Sequence, residues 1–227
     1  MMSSPREGFN FRDGRAFGVG DEKIVYEDPS NPERVVSFRK EGTVERELSP
    51  GEVKARFYLT KIMHLLFPEH IPDISVSASS PDFIKRKKIK FDSGHDAIRR
   101  VRLLREEGKE PSEELAQTAR LAREKIKSDE ACIQFIERME ILGVDVDQAA
   151  QNFGYDTTGH VIYVEEFNAL RMTAGGPRPW FDGDKIERAI ENLDDNNRGS
   201  AGIYLERLKQ VIAEEIGKIE SNKKTHV

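Results

Sequence analysis

The stretch LGVDVDQAAQNFGYDTTGHVIYVEEFN, residues 142–168, carries the most specific pattern in the chain. Asp147 and Asn152 stand five positions apart in a polar segment that follows an apolar helical pattern. The apolar runs on either side of the Thr157-Thr158-Gly159 turn predict a β-hairpin. The far strand of this hairpin, HVIYVEEF, runs to Phe167 and carries Glu165-Glu166, so pairing of the strands would bring a carboxylate beside Asn152.

These side chains suit a particular chemistry. Hard cations such as Mg²⁺ bind a few protein oxygens and complete their shell with water and phosphate. Phosphoryl transfer needs little more than a positioned hydroxyl and neutralised phosphate charge. Asp147 and Asn152 alone also suit an ordinary polar loop, because both residue types are common in loops. The core helix before them and the hairpin after them favour a site.

Composition limits the classes of function. The chain has 227 residues, a net charge of -5 and a mean hydropathy of -0.63. The acidic balance argues against a general nucleic-acid binder, which usually shows a basic field. The single cysteine, Cys132, allows no internal disulfide, and no apolar run is long enough to span a membrane. We expect a cytoplasmic protein that binds neither nucleic acid nor membranes.

The order of predicted elements indicates an α+β protein in two parts. Residues 1–91 read as a β-rich N-terminal lobe with one long helix, which Ser49 and Glu52 would begin with a capping box. Residues 92–227 read as a mostly helical C-terminal lobe that contains the hairpin, and its highly charged part, residues 92–127, reads as two helices. The basic run at residues 85–88 is interpreted as an exposed strand face, and the Gly/Pro-rich segment 173–183 as an open loop.

The central stretch resembles the protein-kinase-like fold family. The catalytic-loop pattern D-x-x-x-x-N of that family fits DQAAQN, Asp147 to Asn152. The metal-binding D-F-G stands where this chain has Glu165-Glu166-Phe167-Asn168. The resemblance implies that Asp147 orients or deprotonates an acceptor hydroxyl. It also implies that Asn152 and either Glu165 or Glu166 bind Mg²⁺.

The N-terminal part is similar to the glycine loop of the same family, G-x-G-x-x-G-x-V, which covers the nucleotide phosphates. The stretch GVGDEKIV keeps Gly18, Gly20 and Val25, and Lys23 replaces the third glycine. These positions would bind ATP. A lone G-x-G is a weak signal that also suits a simple turn. The resemblance therefore depends mainly on its position at the start of a strand–turn–strand–helix order.

Two further residues follow from the resemblance. The strand lysine that contacts nucleotide phosphates would be Lys40, with Arg39 as the alternative because strand alternation turns only one of them inward. Both also suit solvated cations at a strand end. The glutamate that pairs with this lysine would be Glu52, although the capping box explains Glu52 without catalysis.

The chain departs from the family pattern at several points. Asp145-Val146 stand in place of the His-Arg before the catalytic aspartate, and no A-P-E follows the hairpin. Three hypotheses stay open: a Mg²⁺-dependent phosphotransferase that moves the ATP γ-phosphate to a hydroxyl, an inactive pseudokinase-like module that binds nucleotide or protein, and an unrelated α+β protein. The sequence leaves open whether an acceptor is a small molecule or a protein, and it does not reveal the oligomeric state.

Overall fold

The N-terminal part of the chain folds into an antiparallel sheet. Its strands are β1 (Ala16–Val19), β2 (Lys23–Asp28), β3 (Asn31–Arg39), β4 (Ile74–Ser77) and β5 (Ser80–Lys87), in the order β1-β2-β3-β5-β4. The structure, a computed structural model, describes residues 16–19, 23–28, 30–39, 49–77, 80–173 and 176–225. Because β5 pairs with β3, one helix and β4 lie between the two central strands in sequence.

That helix, α1 (Pro50–Leu66), begins as the sequence predicts. The Glu52 amide donates to Ser49 Oγ at 3.1 Å, and the Ser49 amide donates to Glu52 Oε2 at 2.8 Å. This reciprocal pair confirms the capping box. The helix buries an apolar side that contains Leu59, Ile62 and Met63.

The last helix covers α1. This helix, α6 (Asp195–Thr225), packs along α1 and sends the buried Glu215 to its first turn. The Ser49 hydroxyl donates to the Glu215 carboxylate. Gly51 makes this approach possible, since a Cβ there would collide with the same carboxylate. A negative charge beside the positive end of the α1 dipole stabilises the helix start.

Three helices follow the sheet: α2 (Ser93–Glu106), α3 (Glu113–Ser128) and α4 (Glu130–Ile141). Asp92, Ser112 and Asp129 cap them, each with a side-chain oxygen that accepts from a backbone amide of the first turn. Helices α2 and α3 pack closely, because Gly94 leaves room for Ala122. The prediction of two charged helices is therefore confirmed, with α4 as the core helix before the hairpin.

The predicted hairpin consists of β6 (Phe153–Tyr155) and β7 (Val161–Tyr163). Gly159 makes the turn with a φ of +88°, a conformation that costs glycine little. The expectation that the far strand runs to Phe167 is wrong, because β7 ends at Tyr163. Residues 164–169 instead form an irregular segment, in which the Phe167 amide donates to Thr60 Oγ1 of α1 at 3.1 Å.

The segment expected to be an open loop contains a second hairpin. It is formed by β8 (Leu170–Thr173) and β9 (Gly176–Pro179), followed by α5 (Gly183–Ile190). Local preference does not predict this hairpin, since Pro177 and Pro179 cannot donate to a ladder and are usually confined to edge strands. One hydrophobic core joins α1, α2, α4, α6 and the first hairpin. The chain is thus a mixed α and β protein, and within its described residues no helix is long and apolar enough to cross a membrane.

Candidate functional site

A cavity of about 160 Å³ lies where the sheet, α2 and the first hairpin meet. Its lining has three sources. The sheet contributes Val25, Val35, Ser37, Arg86 and Lys87; α2 and the segment before it contribute Ile89, Phe91, His95, Ile98, Arg99 and Arg102; the hairpin region contributes Gln151, Asn152, Val164 and Glu165, and Pro72 completes the wall. We refer to this cavity as the cleft.

Three of the predicted site residues line the cleft: Val25, Asn152 and Glu165. They come from the glycine-loop, catalytic-loop and D-F-G positions of the sequence pattern. The backbone of Gly18 in β1 pairs directly with Val25, next to the same wall. Gly20 and Lys40 lie outside the described residues. The structure therefore brings Val25, Asn152 and Glu165 to one cavity, whereas Glu52, Asp147 and Glu166 do not line it.

The loop from Asp147 to Asn152 is held by its own hydrogen bonds. Asp147 is exposed, and its Oδ1 accepts from the Ala149 amide at 3.1 Å. Asn152 ends a 3-10 turn (Ala150–Asn152); its side chain is buried and donates to the Asp147 carbonyl at 3.3 Å. The Val164 amide donates to the Asn152 carbonyl at 2.8 Å. Asn152 is thus fixed between the loop and the second strand of the hairpin.

Tyr163 contacts the loop that carries Asp147 and Asn152. Its side chain is 1% exposed and its hydroxyl is hydrogen-bonded to the backbone of Asp147. Burial raises the pKa of Tyr163, and the nearby Glu165 charge raises it further. The phenol therefore stays neutral and acts as a fixed support for the Asp147 backbone.

The two glutamates of the D-F-G position have different environments. Glu165 is half-buried and lines the cleft. Glu166 is 3% exposed, and its carboxylate forms an ion pair with the guanidinium of Arg86 on β5. Glu165 is thus the one that borders the open space, and its carboxylate accepts from the Glu166 amide at 3.1 Å, whereas the carboxylate of Glu166 is paired with Arg86.

Arg86 is a site residue that the sequence interpretation missed. Its guanidinium donates to the Val164 carbonyl and to Glu166, and only 12% of its side chain is exposed. The expectation that residues 85–88 form an exposed basic strand face is therefore wrong for Arg86. Burial lowers the pKa of Arg86 and the Glu165 charge opposes this shift, but arginine stays protonated in proteins. Strand alternation with the buried Ile84 was the signal that placed Arg86 inward.

His95 closes the helical wall of the cleft. It is 7% exposed, and its Nδ1 donates to the Phe153 carbonyl at 2.8 Å. The Phe91 ring lies against the imidazole with a centroid distance of 4.0 Å, and Gly154 leaves space for both rings. Burial lowers the pKa of His95, with a smaller contribution from Arg99. The buried environment of His95 therefore favours the neutral imidazole.

The donors for a cation are oxygen atoms of mixed type. No group of three or more His, Cys, Asp or Glu residues in the described parts of the chain could hold a metal. Among the predicted ligands, Asn152 and Glu165 offer an amide and a carboxylate to the cleft, which suits a cation that keeps several waters. Glu166 does not fit as a ligand, because Arg86 already neutralises it.

A scan against protein-family models found no match to this chain, and a search of curated proteins found none of similar sequence.

Proposed function

We propose that this chain is a kinase-like phosphotransferase that binds ATP in the cleft and moves its γ-phosphate to a hydroxyl acceptor. The observation that carries this proposal is the meeting of Val25, Asn152 and Glu165 around one cavity. These residues belong to three motifs, and Val25 precedes Asn152 by 127 positions. In the proposed arrangement, the sheet lies on one side of the nucleotide, and α2 and the first hairpin lie on the other.

Asp147 would act on the acceptor. Its exposed carboxylate can accept a hydroxyl proton, and the bond to Tyr163 holds its backbone in place. Most of the rate enhancement would come from positioning the hydroxyl and from stabilising charge on the transferred phosphoryl group.

Magnesium would be held by Asn152 and Glu165, whose oxygens border the cleft. When bound, Mg²⁺ would neutralise charge on the nucleotide phosphates. Glu166 would instead position Arg86, which provides a fixed cation inside the cleft. Ser37 of β3 also lines the cleft.

The size of the cleft has a consequence for binding. Its volume of about 160 Å³ is smaller than the roughly 300–1,000 Å³ of most small-molecule sites. ATP would therefore enter only if the sheet moves away from the hairpin, and ligand binding would select that more open state.

The test separates binding from chemistry. We expect MgATP to raise the thermal unfolding midpoint of the wild type, and Glu165→Gln to weaken the Mg²⁺-dependent part of that shift. Asp147→Asn should bind MgATP normally but release phosphate from ATP, with water as the acceptor, about 10²–10⁴-fold more slowly. Asp145→Asn removes a nearby exposed carboxylate and serves as the matched control. Absence of any ATP-induced shift in the wild type would overturn the proposal.

A second candidate function is an inactive, pseudokinase-like module that binds nucleotide or protein. The ion pair between Arg86 and Glu166 favours it, because an internal cation occupies a carboxylate at the D-F-G position. This candidate expects ATP binding that does not depend on Mg²⁺ and phosphate release that is unchanged in Asp147→Asn.

A further inference from the structure

A second cavity, of about 370 Å³, adjoins the cleft between α2 and α3. It is lined by Val101, Arg102, Arg105, Arg123 and Gln151, and we call it the arginine pocket. Arg102 and Gln151 line the cleft as well, so the two cavities share a wall. Gln151 directly precedes Asn152, which places the arginine pocket next to the loop that carries Asp147.

The arginine pocket concentrates positive charge in a protein whose net charge is -5. Arg105 and Arg123 form no ion pair with a carboxylate in the parts of the chain that the structure describes. Burial lowers the pKa of Arg123, and the neighbouring charges of Arg105 and Arg102 lower it further. The protein thus holds like charges together around an open space, an arrangement that an anion would stabilise.

Guanidinium groups match the geometry of phosphate and carboxylate, because their planar donors can bind two oxygens at once. The donors here converge from two helices, and Gln151 adds an amide. We propose that the arginine pocket binds a phosphate or carboxylate group of a small acceptor molecule whose hydroxyl then lies at Asp147. This assignment of an anionic acceptor rests on the proposed phosphotransferase function, whereas anion binding itself does not.

Inorganic phosphate is the probe for the pocket. It would be titrated by calorimetry into the full chain at constant ionic strength, without nucleotide. We expect wild type to bind phosphate, and Arg123→Gln to weaken its affinity by about tenfold or more, since bonds to charged groups are strong. Arg120→Gln removes the same charge from an exposed position on α3, where Arg120 contacts Gln117, and should leave affinity unchanged. Equal affinities in wild type and Arg123→Gln would overturn the proposal.

A second arm separates the acceptor from the nucleotide. MgATP affinity would be measured for wild type and Arg123→Gln by thermal shift. Unchanged MgATP affinity together with lost phosphate affinity supports an acceptor site. A parallel loss of both would overturn it, because the pocket would then bind nucleotide phosphates. If phosphate binds and ATP binds neither variant, the anion site stands, while the phosphotransferase function and the acceptor assignment fail.

Thermal unfolding without ligand shows whether Arg123→Gln is folded. If it is not, Arg105→Gln replaces it, since Arg105 is exposed and lines the same pocket from α2. The same loss of phosphate affinity is expected, and its absence overturns the proposal.

Discussion

Arg86 and the arginine pocket are two basic regions beside the same loop, and they handle charge in opposite ways. Arg86 is buried and its guanidinium contacts a carboxylate and a carbonyl of one irregular segment. In the arginine pocket, Arg105 and Arg123 line the same open cavity. The first arrangement balances its charge within the fold, and the second leaves positive charge in a place that solvent or a ligand can reach.

The difference indicates which region holds the fold together. Removing one partner of a buried ion pair leaves an uncompensated charge, which is costly. Removing one of several clustered like charges relieves repulsion instead. Stability should therefore depend on Glu166 and Arg86, whereas anion affinity should depend on Arg123 and Arg105.

The largest expected effect comes from Glu166→Ala. It leaves Arg86 buried without its carboxylate and should lower the free energy of unfolding by about 3–5 kcal/mol. For a chain of this length that corresponds to roughly 2–4 °C in midpoint for each kcal/mol. Urea unfolding followed by circular dichroism measures the loss. Glu137→Ala, at an exposed position on α4, is the control and should change stability by less than about 0.5 kcal/mol.

A double variant sharpens this result. Arg86→Met combined with Glu166→Leu removes both charges and should return stability to within about 1 kcal/mol of wild type, because apolar replacements of a buried pair are often neutral. A double variant as unstable as Glu166→Ala would show that the pair is not what the fold depends on. If the double variant is stable but no longer binds ATP, Arg86 contributes to ATP binding as well as to stability.

An intermediate effect concerns His95, which lies on α2 between the two regions. Burial lowers the pKa of His95 from its usual value near 6.5. Between the lowered pKa and pH 6.5, His95 is therefore protonated in the unfolded chain and neutral in the folded chain. Its contribution to stability is complete above about pH 6.5 and is lost as pH falls toward the folded pKa. The slope reaches at most about 1.4 kcal/mol per pH unit.

His95→Asn can still donate to the Phe153 carbonyl but does not titrate. Urea unfolding at several pH values between 7.5 and 5 should therefore show a smaller loss of stability for this variant than for wild type. If stability falls equally with pH in the two proteins, then the pKa of His95 is not lowered by folding and the buried site holds a protonated imidazole.

The smallest effect is expected for Arg123→Gln in the absence of anions. Relief of repulsion from Arg102 and Arg105 should raise the free energy of unfolding by no more than about 0.5 kcal/mol, and added sodium chloride should reduce the difference from wild type. Thermal unfolding at low and high salt measures this, with Arg120→Gln as the reference. A loss above about 1 kcal/mol would mean that the arginine pocket is structural, like Arg86.

The elements predicted well from the sequence depend on neighbouring residues. The Ser49–Glu52 capping box, the two charged helices and the turn at Gly159 are set by contacts within a few positions. The lining of the cleft by Asn152 and Glu165 followed because a hairpin fixes which residues meet across it. These features need no knowledge of the rest of the fold.

The features that the sequence did not predict depend on distant partners. Arg86 and Glu166 are 80 residues apart, and only the packing of the sheet on the hairpin region brings them together. The arginine pocket likewise needs the crossing of α2 and α3 beside Gln151. The second hairpin was not predicted because β9 contains prolines, which are rare in paired strands. In each case tertiary packing decided what local preference left open.

The bond between Ser49 and Glu215 joins residues that are 166 positions apart. Closing so long a segment costs conformational entropy before any contact repays it, so such contacts form late in folding. During synthesis, α1 emerges from the ribosome long before the residues of α6 that cover its apolar side. Until then that side is not covered by α6, so this part of the core is completed only after α6 has left the ribosome.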